Sequence, residues 1–76
     1  MVIVTLEQCY GTFVASCRVS DNMFDENVPP VFGYGRDPDT AISRLLSDYP
    51  EIVDYRLISR HEYEVLWDQH DDSMER

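Results

Sequence analysis

The residue types that carry most enzyme chemistry are sparse here, and their spacing argues against a shared site. His61 and His70 are the only two histidines. Nine positions along one helix rotate through about 900°, two and a half turns, so the imidazoles point to opposite sides and do not share a metal. Cys9 and Cys17 form neither CxxC nor CxxH spacing, so no structural zinc is expected. Two cysteines are also too few for a stapled secreted framework, and reduced thiols in a cytoplasmic protein are the simpler reading. If Tyr10-Gly11 turns a hairpin, Cys9 faces Thr12 and Cys17 lies far down the second strand, so the sulfurs do not meet. His70-Asp71-Asp72 has donors for a cation but reads more simply as a solvated acidic end.

Nucleophile and phosphate motifs are missing as well. No Ser, His and Asp arrangement carries an elbow. Gly33-x-Gly35 lacks a third glycine, is followed by Pro38 and acids, and has only Arg36 as a nearby base. The carboxylate pairs Asp37/Asp39 and Glu62/Glu64 are accounted for by helix capping and surface charge. The expectation is a protein without catalytic residues, bound metal or cofactor.

Charge is the stronger signal. Fifteen acids face six bases, a net charge of −9, and every base is arginine. Through Arg36 the net charge is −2, and beyond it −7. Phosphate binding needs clustered cations whose engagement releases counterions, so direct nucleic-acid binding is disfavoured. A basic protein would instead be steered toward this chain. The alternative is that acidity serves solubility alone.

These residues sit on one domain, 1–76, since a chain of this length has no room for a second core. Hydrophobic residues make up 43% and aromatics 12%, enough for a globular fold. No apolar run approaches the roughly 20 residues of a membrane span, and Met1 to Leu6 has neither the length nor the basic flank of a signal peptide.

Met1 to Gln8 alternates, with Val2, Val4 and Leu6 on one face, and predicts a strand. Thr12 to Val19 alternates again, completing a hairpin around Tyr10-Gly11. Ser20 to Pro30 is a polar, acidic loop closed by two prolines. Within it Met23 and Phe24 either tuck under the sheet edge or meet a partner. Val31 to Tyr34 predicts a third strand, where Gly33 and Gly35 suggest a bulge or close backbone approach.

Asp37 caps a helix with Pro38 in its first position, and Ala41, Ile42, Leu45, Leu46 and Tyr49 form its apolar stripe. Pro50 ends it. Ile52 to Ile58 predicts a fourth strand, with Val53, Tyr55 and Leu57 inward. Ser59-Arg60-His61-Glu62 fits a capping box opening a second helix to about His70, whose apolar side is Tyr63, Leu66 and Trp67. Residues 71–76 are expected to fray as an acidic tail. The predicted fold is α+β and two-layered, of order β-β-β-α-β-α, an antiparallel sheet of three to four strands with one helix packed on a face. An exposed sheet edge on so thin a core predicts a homodimer.

Gly11-Thr12-Phe13-Val14-Ala15 in the second strand, and Gly33-Tyr34-Gly35-Arg36-Asp37-Pro38-Asp39-Thr40-Ala41 running into the helix, resemble the N-terminal domain of HicB-type antitoxins. That domain is a β-β-β-α-β unit likened to a partial RNase H fold, and the resemblance covers roughly Val2 to Ile58. The family's Pro-Gly-Cys step before the third strand is replaced by Val28-Pro29-Pro30, and the preceding loop is longer. Of the carboxylates an RNase H-like site would need, Glu7 lies on the first strand without companions. The resemblance implies a protein that covers a small basic RNA-cleaving toxin. With no helix-turn-helix or ribbon-helix-helix segment following, it implies no self-repression through DNA.

The expected function is thus a small acidic, non-catalytic protein that binds and neutralises a basic nucleic-acid-acting protein. The alternative is a phage-encoded inhibitor of a host nuclease, an anti-CRISPR or anti-restriction protein whose carboxylates imitate DNA phosphates. A third reading is an accessory subunit of a larger assembly. The candidate contact residues are Glu62, Glu64 and Asp68 on the second helix, Asp71 and Asp72 in the tail after it, Asp48, Glu51 and Asp54 near it in sequence, and Met23 and Phe24 in the loop.

Overall fold

A computed structural model describes residues 1–74, with side chains through His70. The strands are β1 (Val2–Cys9), β2 (Thr12–Cys17), β3 (Val31–Gly35) and β4 (Tyr55–Ser59), and the helices are α1 (Pro38–Asp48) and α2 (Arg60–Met74). They form one sheet in the order β3-β2-β1-β4, so the α+β class and the order β-β-β-α-β-α hold. The sheet is mixed rather than antiparallel, because β4 runs parallel to β1. The reason is the crossover. β3 runs in the direction of β1, α1 carries the chain back along one face, and β4 must then set out from the end where β1 begins.

The β1–β2 hairpin closes on a two-residue turn. Tyr10 and Gly11 have φ of 50° and 77°, the double positive φ of a type I′ turn whose twist matches the strands. Cys9 then pairs with Thr12. β2 stops at Cys17, short of Val19, where Ser20 N–H turns back to donate to the Arg18 carbonyl at 2.7 Å.

On one face, α1 packs over β3 and β2. The Asp37 carboxylate accepts from the Thr40 N–H at 2.8 Å, and Tyr49 closes the helix by donating its N–H to the Leu45 carbonyl. Ala41 and Leu45 are wholly buried against Val4 and Ala15, with Val2, Cys17 and Ile52 completing the core. Burial pushes the Cys17 thiol pKa up. Ile42, Leu46 and Tyr49 are half-buried at the rim of this core.

β4 departs from expectation. It begins at Tyr55 instead of Ile52, because Ile52 N–H closes a turn onto the Tyr49 carbonyl, and the ladder to β1 starts only where Val2 N–H donates to Asp54 O. Val53, Tyr55 and Leu57 are exposed rather than inward, at 94%, 37% and 44%. Tyr55 and Leu57 do share the face of Val2 and Val4, but α1 lies over the other two strands. Ile58 is buried with Thr5 on the opposite face.

That opposite face receives α2. Ser59 Oγ accepts from the Glu62 N–H at 3.1 Å, while the Glu62 carboxylate stands 3.9 Å from Arg56 rather than completing the box. Tyr63, Leu66 and Trp67 are half-buried. The helix continues to Met74, four residues past the expected end at His70, so the frayed tail of 71–76 does not begin where sequence placed it. Glu75 and Arg76 lie outside the described residues. No helix among the described residues is long and apolar enough to cross a membrane.

Candidate partner-binding surface

Strand directions sort the charged residues between the two ends of the sheet. The Tyr10-Gly11 turn marks one end. The other collects the loop after β2, the segment between α1 and β4, and, since α2 returns across the sheet from Ser59, the later turns of that helix. The far end therefore brings together Asp21, Asp25 and Glu26 from the loop, Asp48, Glu51 and Asp54 from the connection, and Asp68 from α2. All but the half-buried Asp25 are exposed. Glu62 and Glu64, on the first turns of α2, lie toward the hairpin end and are answered by arginines, Glu62 by Arg56 and Glu64 by Arg60 at 3.4 Å. The candidate set thus divides. Asp48, Glu51, Asp54 and Asp68 share one end, Glu62 and Glu64 do not, and the side chains of Asp71 and Asp72 lie outside the described residues.

Arg18 organises the far end, a role invisible in its sequence context. Its Nε donates to the Val28 carbonyl at 3.0 Å, and its Nη1 to the Met23 carbonyl at 3.0 Å and the Tyr63 hydroxyl at 3.3 Å. Its guanidinium also lies 5.6 Å from the centroid of Trp67, within cation–π range. One side chain just past the end of β2 therefore ties the 20–30 loop and α2 to the sheet. Two Asx turns stiffen that loop, with Asn22 accepting from Phe24 N–H and Asp25 from Asn27 N–H, each at 3.1 Å.

Phe24 does not tuck under the sheet edge. Its ring stacks on His70 at 4.0 Å and meets Trp67 edge-on at 4.9 Å, so α2 supplies the apolar cover that the loop requires. Met23 is half-buried beside Arg18. The available signal was the two apolar residues in an otherwise polar loop; the ring partners of Phe24, which are Trp67 and His70, lie 43 and 46 positions away and carried none. His61 is exposed, whereas His70 is half-buried in the stack.

Phe24, Trp67 and His70, together with Asp25 and Glu26, line an open depression of about 410 Å³. Ring faces and carboxylates side by side are what a cationic side chain binds, through cation–π attraction and charge-assisted hydrogen bonds. Earlier in the same loop Asp21 lies 2.9 Å from the Met1 ammonium, whose hydrogen bond and charge hold that carboxyl below the usual range. Among the described residues no group of three His, Cys, Asp or Glu side chains is placed to hold a metal ion.

No family model, no curated protein and no solved structure matches the chain.

Proposed function

We propose that the protein binds a basic, nucleic-acid-acting protein through the far end of its sheet and neutralises it by occupation, without catalysis. The observation that carries this reading is the depression there, in which the loop carboxylates Asp25 and Glu26 stand beside the rings of Phe24, Trp67 and His70. Acids scattered for solubility alone have no need of a concave aromatic floor among them. A lysine or arginine of the partner enters the depression, and the surrounding field speeds encounter and weakens with salt. The resemblance to HicB-type antitoxins supports a ribonuclease toxin as that partner. Self-association through the outer edge of β4 is part of the proposal, since its exposed Tyr55 and Leu57 lie on a strand with no acid.

The test is affinity capture from the host at low salt, identification of what is retained, and titration of the complex with salt. Reversal of Asp25 and Glu26 to Lys is expected to slow association and flatten its salt dependence. Reversal of Glu62 and Glu64 is expected to do neither. If the second pair matters and the first does not, the docking end is misassigned. If what is captured is not basic, or its retention ignores salt, the reading fails.

A further inference from the structure

A second concavity lies on the α2 face, separate from the acidic depression. It encloses about 150 Å³ between the sheet, the 20–30 loop and the start of α2, the volume of about five waters at ~30 Å³ each. Its character is opposite to that of the chain. In a protein of net charge −9, two of the six arginines, Arg18 and Arg60, line it, and among the described residues no carboxylate does.

The sheet supplies its floor. Thr5 and Ser16 pair across β1 and β2, so both side chains stand on the same face, and Thr5 is buried at 3% exposure. The Tyr63 hydroxyl closes the polar side, while Ile3 and Phe32 make the rest apolar.

Donor capacity remains after the internal contacts are counted. A guanidinium carries five N–H groups. Arg18 commits its Nε and Nη1 to Val28, Met23 and Tyr63, which leaves Nη2. Arg60 meets Glu64 through Nε and lies over the Tyr63 ring, which leaves both of its terminal nitrogens.

We propose that this cleft binds the carboxylate of a small organic acid. Guanidinium and hydroxyl donors hold the oxygens, and Ile3 and Phe32 cover a short apolar tail. A planar carboxylate fits the guanidinium fork, and the apolar half of the wall favours it over a tetrahedral inorganic oxyanion, which has no tail to bury. A strongly acidic protein repels anions in general, so a saturable anion response here reports a built site. This inference does not depend on the protein having a basic partner.

Trp67 is the single tryptophan and lies under Arg18, so its emission reports engagement of that guanidinium. The experiment titrates the full chain with butyrate at constant ionic strength, following Trp67 emission and the backbone amide shifts of Thr5 and Ser16. Butyramide serves as the neutral isostere and inorganic phosphate as the competing oxyanion. Butyrate is expected to saturate both signals, and butyramide to move neither. Arg60→Gln, at an exposed position, is expected to weaken binding by about tenfold, the loss of one charge-assisted hydrogen bond. Thr5→Val, which exchanges the hydroxyl for a methyl of similar size, is expected to weaken it in the same direction. A linear or absent butyrate response, an equal response to butyramide, or unchanged affinity in Arg60→Gln overturns the proposal. Tighter binding of phosphate than of butyrate overturns the carboxylate assignment and gives the cleft to a phosphoryl group.

Discussion

Gly33→Ala is the substitution that tests the packing of α1 most sharply. A Cβ built on Gly33 would stand 2.6 Å from the Ala41 carbonyl oxygen, 2.7 Å from the Leu45 nitrogen and 2.8 Å from the Leu45 Cβ. Two of these are backbone atoms, so no rotamer change relieves the contact. To restore an ordinary separation of about 3.4 Å or more, α1 must lift from β3 by roughly 0.8 Å. A gap of 0.5–1 Å forfeits about a quarter to a half of the dispersion attraction across it. The helix would lose that fraction where Ala41 and Leu45, both fully buried, meet the sheet. Overpacking of this kind costs about 1–3 kcal/mol, and backbone neighbours place it at the upper end. A domain of this size holds on the order of 4–11 kcal/mol in total, and 1 kcal/mol moves its Tm by about 4–8 °C. Gly33→Ala is therefore expected to lower Tm by about 10–20 °C in thermal unfolding followed by circular dichroism. Leu45→Ala, which opens a cavity at the same contact, is expected to cost about 2–5 kcal/mol and sets the scale. A Tm for Gly33→Ala within about 3 °C of wild type would refute the close approach of α1 to β3.

Arg18→Ala removes three hydrogen bonds that join the 20–30 loop and α2 to the residue that follows β2. Hydrogen exchange is expected to quicken in that loop and along α2 while α1 and β3 keep their protection, and uniform acceleration would show that Arg18 serves the whole core instead. Asp37 has its carboxyl held below the usual range, first by the Thr40 backbone N–H and then by the Thr40 side chain. A depressed folded pKa contributes stability that is complete above the unfolded value of about 3.9 and is lost as pH falls through the folded one. The Tm difference between wild type and Asp37→Ala is thus expected to be present at pH 7 and to shrink below about pH 4, and a difference constant from pH 7 to pH 2 would contradict this. Light scattering at tens of micromolar is expected to give a dimer mass, and Leu57→Lys on the β4 edge to return it to the monomer; a monomer throughout would count against that edge as an interface.

Local pattern determined much of this protein. Alternation of Val2, Val4 and Leu6 marked β1 and its buried face, Tyr10-Gly11 marked the turn, and Asp37-Pro38 with the Ala41–Leu45 stripe marked α1 and its cap. Each of these is legible because the forces involved, β-strand pleat, positive φ and a helix stripe, act between residues close in sequence. The absence of grouped histidines and cysteines and the acidic balance were likewise visible without a fold.

Only the tertiary structure decided which way β4 runs, which half of the α1 face stays open, and what Arg18 and Phe24 do. Tyr55 and Leu57 carry the pattern of an inward strand, yet they are exposed because α1 lies over β2 and β3. Nothing in residues 52–58 encodes where a helix from another segment will rest. Phe24 finds Trp67 and His70 only because α2 returns across the sheet, and Arg18 reaches Tyr63 over 45 positions for the same reason. The same return divides acids that look continuous in the chain, sending Glu62 and Glu64 to the arginines at one end and leaving Asp68 with Asp25, Glu26 and Asp54 at the other. Electrostatic fields add in space, not along the sequence, so charge counting gave the sign of the surface and the fold gave its place.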